Sequence, residues 1–321
     1  LRGLREVPAS RSWAARHREG PVATSTTDVH SFMLVRCILE TDSLQGDAPL
    51  ASNRRALVTG APAGIGAAFA RELARRGHDL VLTARRADRL ESLAAELRDR
   101  HGVEAIVAPL DLSRVDGPEA LVAALDAQHL HVDVLINNAG YGLPGYLDEQ
   151  PWAAHAAFIQ LMMTAPVELA YRLLPGMKAR GYGRIVNVAS LAGHIPGSAG
   201  HTLYGASKAF LIKFSQSLAL ETKGSGIHVT GLCPGFTYSE FHDVNGSRDM
   251  VSKMPSSMWM DATTVAKQGM DAVEAGRVVL VNGKVNTAIK VLFKLLPDAL
   301  TLKMVERQAH RFRVGGDRSG P

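Results

Sequence analysis

Tyr204 and Lys208 stand four residues apart in "HTLYGASKAF", residues 201–210. On a helix that interval puts both side chains on one face, with Cβ atoms roughly 5–6 Å apart. A phenol whose ordinary pKa is about 10 is a poor proton relay near neutrality. A neighbouring ammonium favours the phenolate and lowers that pKa, so the pair can act as a general acid and its tuning cation. The same spacing also occurs on plain helix surfaces, where a half-buried tyrosine and a solvated lysine do no chemistry. The surrounding elements decide between the two.

From Arg55 onward short apolar, β-branched runs recur: "ALVT" (56–59), "LVLT" (80–83), "EAIVA" (104–108), "VDVLI" (132–136), "RIVNV" (184–188), "IHVTGL" (227–232) and "RVVLV" (277–281). Between them lie stretches with helical spacing, such as Phe69, Leu73 and Arg76, or Phe210, Leu211, Phe214 and Leu218. Strands that are apolar throughout are buried on both faces, as in a parallel sheet covered by helices. Seven of them alternating with helices predict one α/β domain, a doubly wound (Rossmann) seven-stranded parallel sheet with helices on both faces.

In such sheets ligands sit beyond the carboxyl ends of the strands, and the first strand-to-helix turn holds phosphate. That turn is "TGAPAGIG", residues 59–66. Gly60, Gly64 and Gly66 let the backbone turn tightly and approach a pyrophosphate. The helix starting near Gly64, with Ile65 in its first turn, offers its positive end. The spacing is not the common G-x-G-x-x-G, and the loop gains meaning from its place between a strand and a helix. The second strand runs into "LVLTARR", with Arg85 and Arg86 where a carboxylate would hold the ribose hydroxyls of NAD. A guanidinium suits a 2′-phosphate, so NADP(H) is expected over NAD(H). The plain alternative is two solvated residues at a helix start.

With 321 residues, 46% of them hydrophobic, the chain can bury a large core. Its formal charge is +5. Seven basic residues between Lys284 and Arg313 stand against Asp298 and Glu306, so the excess lies there. The near-neutral remainder argues against a nucleic-acid-binding body. Two cysteines, Cys37 and Cys233, imply no disulfide framework and fit a reducing, cytoplasmic setting. No histidine–cysteine–carboxylate cluster suggests a metal. Residues 1–53 are arginine-rich and without periodicity, and read as a disordered extension or a mis-assigned stretch of reading frame. "FMLVRCIL" (32–39) is too short to span a bilayer, which needs ~20 residues. Residues 54–283 are expected to form the Rossmann-fold domain, with the flap over 236–260, and 284–321 a basic tail. Within that tail "AIKVLFKLLP" (288–297) repeats apolar residues at Ile289, Leu292, Phe293 and Leu296, an amphipathic helix. Such a helix covers an active-site edge or packs on a partner subunit more often than it rests on an anionic membrane surface.

Taken together, residues 55–283 resemble the short-chain dehydrogenase/reductase family. The landmarks fall in order: "TGAPAGIG", "LDL" (110–112), "NNAG" (137–140), "NVASLAG" (187–193), "YGASK" (204–208) and "CPG" (233–235). The resemblance implies that Tyr204 protonates a carbonyl oxygen as hydride arrives from the nicotinamide. It gives Lys208 a second task, holding the nicotinamide ribose, and makes Ser190 the hydrogen-bonding partner of the substrate oxygen. Asp111 and Leu112 would border the adenine, Asn138 would line the cofactor ribose, and Pro234 and Gly235 would back the nicotinamide. A flap from Phe236 to Met260, rich in methionine and carrying Trp259, would close over a hydrophobic carbonyl compound or alcohol. Ser239 there replaces a usual threonine. His194 and His201 flank the loop between Ser190 and Tyr204. Homodimers or homotetramers through the Tyr204 helix, apolar outside at Phe210 and Phe214, are implied too.

Three departures stand out. Met162 occupies the place of the family's usual asparagine, and a thioether donates no hydrogen bond. Gln160 and Thr164 lie about 200° round a helix from it. Pro62 and Ala63 replace polar residues in the phosphate loop, and Pro62 has no N–H. The Ser190–Tyr204 interval is one residue longer than usual, so its loop must bulge. The expectation is slower or altered proton delivery with the chemistry retained; the alternative is a nucleotide-binding protein with little catalysis.

Overall fold

The computed structural model describes residues 54–238 and 259–309. Six strands follow the expected runs closely: β1 (Arg55–Thr59), β2 (Asp79–Ala84), β3 (Ala105–Pro109), β4 (Val134–Asn137), β5 (Gly183–Val188) and β6 (Ile227–Cys233). After them come β7 (Phe236–Tyr238), β8 (Trp259–Asp261) and β9 (Val279–Val281). The main sheet is wholly parallel, in the order β3-β2-β1-β4-β5-β6-β9. Chain order reverses between β1 and β4, which opens a crevice at their carboxyl ends.

The helices are α1 (Gly64–Arg75), α2 (Ala87–His101), α3 (Gly117–Ala127), α4 (Trp152–Ile159), α5 (Ala165–Arg180), α6 (Thr202–Glu221), α7 (Ala262–Glu274), α8 (Lys284–Leu295) and α9 (Asp298–Ala309). Each strand serves two cores because its alternate residues face opposite ways. Val58, Leu80, Leu82 and Ile136 pack with Phe69 and Leu73 of α1, Leu90 and Leu97 of α2, and Met270 of α7. Leu57, Val81, Leu135 and Ile185 pack with Leu121 and Leu125 of α3, Leu169 of α5 and Leu218 of α6. Full burial of each such side chain stabilises by about 1.5–3 kcal/mol, which is why these runs carry no polar alternation.

Three details depart from the sequence reading. The last run, expected over 277–281, pairs only at Val279–Val281, since an edge strand has a single neighbour to hydrogen-bond. A two-stranded parallel pair, β7 with β8, was too short to show as periodicity. The tail helix begins at Lys284, four residues earlier than expected, and it faces the domain with Asn286, Ile289, Lys290 and Phe293. Leu292 is exposed, because the buried Asn286 sets the helix rotation. Residues 1–53, the flap residues 239–258 and the chain beyond 309 lie outside the described residues.

Candidate active site

Six of the seven strands of the central sheet end in one of the expected residues. Gly60 follows β1, Arg85 and Arg86 follow β2, Asp111 and Leu112 follow β3, Asn138 follows β4, Ser190 follows β5, and Pro234 and Gly235 follow β6. Parallel strands bring all of these to one edge.

At the β1 end the loop closes on itself. Gly60 has φ +64 and Gly64 φ +52, the left-handed region that favours glycine. A Cβ on Gly66 would lie 2.2 Å from the Gly60 carbonyl oxygen, so only glycine lets α1 start this close to the loop. The Thr59 hydroxyl accepts from the backbone N–H of Asn138 at 2.9 Å and of Ala139 at 3.0 Å. The Asn138 amide donates to the carbonyls of Thr59 and Gly60. Asn138 thus fastens the β4 turn to the phosphate loop.

These residues fit a phosphorylated dinucleotide. Ala63 caps α1 with no side-chain hydrogen bond, and the first turn holds no acid, so its N–H groups suit an anion. Pro62 lies outside that first turn and removes none of its donors. Arg85 and Arg86 are exposed and form no ion pair among the described residues. Asp111 is less free than expected. Its carboxylate accepts from the N–H and the hydroxyl of Ser113, which shapes the turn into α3, and Leu112 is buried beside it.

At the β5 end Ser190 has an extended backbone and caps the 3₁₀ turn Leu191–His194, its Oγ accepting from Ala192 N–H at 3.1 Å. The Ser190 hydroxyl stands near enough to the Tyr204 phenol to favour its ionised form. Tyr204 lies in the first turn of α6, with Lys208 one turn on, its Nζ 5.7 Å from the Tyr204 ring centroid. That ammonium donates to the Val188 carbonyl at 2.8 Å. Two further bonds lock the loop. Ala189 N–H donates to Leu232 O, and Leu191 N–H donates to Pro234 O.

The electrostatics differ from the sequence expectation in one respect. Burial pushes the Tyr204 phenol above its ordinary value, and the nearby Ser190 hydroxyl works against that rise. Burial also pushes the Lys208 ammonium down to about 8, which weakens it as a fixed cation. A buried cation discounted in this way does not dominate a buried phenol. Cys233, beside Lys208 and buried, is pushed up to about 12 and stays a thiol. His194, half-buried and near Lys290 and Lys213, is pushed down to about 4, and burial lowers His201. Both histidines are therefore neutral near pH 7. Among the described residues no group of His, Cys, Asp and Glu could hold a metal.

Met162 is buried in a π-helical turn, Gln160–Thr164, between α4 and α5. Its sulfur lies 2.8 Å from where a Cβ on Gly140 would stand, so it packs under the "NNAG" turn. Gln160 and Thr164 line an open groove with Ser113, Val115 and Trp152, and neither takes Met162's place. The longer Ser190–Tyr204 interval is taken up by the 3₁₀ turn and the following loop, and the Ser190 hydroxyl still stands near the Tyr204 phenol.

Two residues escaped the sequence reading. Tyr141, edge-on to Phe158, feels both Arg85 and Asp111 and stands where those two approach. Asn286 of α8 is buried against Gly235; a Cβ there would lie 2.4 Å from its Nδ2, which donates to Asn282 O at 2.7 Å. Its only trace in the sequence is an amide on the apolar side of an amphipathic helix.

The family model for short chain dehydrogenases matches residues 54–249. The sulfoacetaldehyde reductase of Chromohalobacter salexigens is 40% identical over 200 residues, 61% of this chain and 77% of that protein. The NADP-dependent 3-hydroxy acid dehydrogenase of Escherichia coli is 36% identical over 201 residues, 60% of this chain and 77% of that one. Among solved structures, a short-chain dehydrogenase from Sphingobium yanoikuyae in complex with NADPH superposes with a TM-score of 0.66 at 33% identity, covering 77% of this chain and 97% of that one. With the sheet order, the glycine loop and the Ser190–Tyr204–Lys208 cluster at one edge, these likenesses place the chain in the short-chain dehydrogenase/reductase family of NAD(P)-dependent oxidoreductases.

Proposed function

We propose that the protein reduces a carbonyl on a hydrophobic small molecule to the alcohol, or runs the reverse reaction, with NADP(H) as cosubstrate. The observation that carries this reading is the meeting of three groups at one sheet edge: the Tyr204 phenol, the Ser190 hydroxyl near it, and Lys208 one helical turn on with its Nζ 5.7 Å from the ring centroid. NADPH, when bound, supplies the hydride. Ser190 holds the substrate oxygen, and Tyr204 delivers the proton that oxygen needs as the carbonyl becomes an alcohol. Lys208, anchored to Val188 O, keeps its remaining N–H donors for the nicotinamide ribose. Gly64, Ile65 and Gly66 hold the pyrophosphate, Asn138 lines the ribose, Pro234 and Gly235 back the nicotinamide, and Asp111, Leu112 and Tyr141 border the adenine end.

The preference for NADP(H) rests on Arg85 and Arg86. It agrees with the NADP dependence of the Escherichia coli relative and with the NADPH complex of the Sphingobium protein. A hydrophobic substrate is favoured by the base of the flap, where Tyr238 stacks on Trp259 at 4.7 Å and Phe236 lies 5.6 Å from the same ring. Assembly into a homodimer or homotetramer is favoured by the outer side of α6, where Phe210 and Phe214 stack, and by exposed Tyr171 and Leu220.

Parallel fluorescence titrations with NADPH and NADH, followed by a carbonyl panel with NADPH, test the reading. Tighter NADPH binding and turnover abolished in Tyr204→Phe are the expected results. Binding without turnover on any carbonyl would favour the alternative, a nucleotide-binding protein with little catalysis.

A further inference from the structure

The basic tail helices present a second face that the site does not use. With Asn286, Ile289, Lys290 and Phe293 turned to the domain, Val285, Ala288, Val291, Leu292 and Leu295 fall on the opposite arc, at about 100° per residue. All five are exposed, Leu295 at 77%. In α9 the exposure continues at Leu300 and at Leu302, 55% exposed. A soluble body does not normally leave such a run of large apolar side chains in water. Lys284, Lys294, Lys303 and Arg307 are exposed around it, and across the two helices five basic residues face two acidic ones, Asp298 and Glu306.

From this we infer that α8 and α9 seat the protein on an anionic lipid surface, the leucines entering the headgroup boundary and the lysines meeting lipid phosphates. Apolar area and cationic rim act together in such binding, each basic residue near the surface contributing about 1 kcal/mol. Two helices of 12 residues are each about 18 Å long at 1.5 Å per residue. That is short of the ~30 Å hydrocarbon core, and no described helix is long and apolar enough to cross a membrane. The helices therefore lie in the interface. A second copy is a poorer occupant: a two-fold contact would set these cations against their own equivalents, with only two acids to answer them. The inference does not depend on the oxidoreductase reading, because the exposed face shares no residue with the site.

Co-sedimentation of the full chain with vesicles of phosphatidylcholine alone, and of phosphatidylcholine with roughly a quarter phosphatidylglycerol, tests it. Binding is expected to the anionic vesicles only, and to fall at least about tenfold as added salt shortens the screening length. The Leu292→Asp/Leu295→Asp variant should lose vesicle binding while its melting temperature and NADPH affinity stay unchanged. Lys294→Glu/Lys303→Glu, which keeps the leucines, should lose most of it too. Equal sedimentation with both vesicle types, or none with either, overturns the inference. So does light scattering that finds a dimer which Leu292→Asp/Leu295→Asp dissociates, since the face then belongs to a second copy.

Discussion

Beyond β5 and β6 the sheet edge is held by internal contacts: the Ser190 hydroxyl near the Tyr204 phenol, the buried Lys208 donating to Val188 O, and the Leu191 backbone N–H donating to Pro234 O. Beyond β1 and β2 it carries backbone and exposed charge: left-handed glycines, an uncapped helix start, and Arg85 and Arg86 in solvent. The first end shifts proton affinities by withholding water. The second offers N–H groups and cations to a ligand that brings its own charge. On the proposed function, one end would do chemistry on a single atom and the other would hold the cofactor. Substitutions at the two ends should therefore differ in kind, turnover failing at the first and affinity at the second.

The contrast is tested most severely by Tyr204→Phe, which keeps the ring and removes the proton. Turnover should fall about 10³-fold or more, with NADPH affinity little changed. A variant that instead lost affinity and kept turnover would reverse the assignment of the two ends. Ser190→Ala should lower kcat by about 10²-fold in steady-state assays, as loss of one positioned donor does, and again spare cofactor binding. At the other end, Arg85→Ala combined with Arg86→Ala should weaken NADPH about tenfold by titration, leave NADH unchanged and flatten the salt dependence. If NADH weakens equally, the arginines do not read the 2′-phosphate.

A smaller effect concerns pH. Lys208 is pushed down to about 8, so its ammonium is present below that pH and is lost as pH rises through it. NADPH affinity should therefore decline a few-fold above pH 8 as the ribose loses a charged donor. In Lys208→Met the affinity should be weaker throughout and flat across the same range. The smallest effect is expected for Met162→Leu, a swap of similar volume costing less than about 1.5 kcal/mol of stability. Its turnover should match the parent, because the thioether under Gly140 carries no proton. A tenfold loss would give the sulfur a role that packing does not.

What the sequence disclosed follows the same division. The sheet could be read because Leu57 and Val58, or Leu80 and Val81, are apolar on both sides, a pattern that needs only local residues. The glycines at 60, 64 and 66 announced a tight loop for a similarly local reason. Hidden from that reading were features made by distant segments meeting. The π-turn around Met162 depends on the fit of α5 beneath Gly140, and Tyr141 gains its neighbours only when β2 and β3 end beside it. The rise of the Tyr204 phenol could not be read either, because the spacing to Lys208 is local whereas the burial that outweighs it comes from the whole fold.

The seat of Asn286 against Gly235 has a consequence for where the working domain ends. The landmarks of the family stop at β9, and the basic tail after it looks dispensable on charge and composition. Yet the amide that fills the space beside Gly235 sits in the first turn of that tail, five residues past Val281. A shortened chain stopping at Gly283 would keep every motif and still uncover the turn at Gly235. On the proposed readings the functional boundary would fall inside α8, after Asn286, one helix meeting lipid on its outer side and walling the catalytic pocket on its inner side.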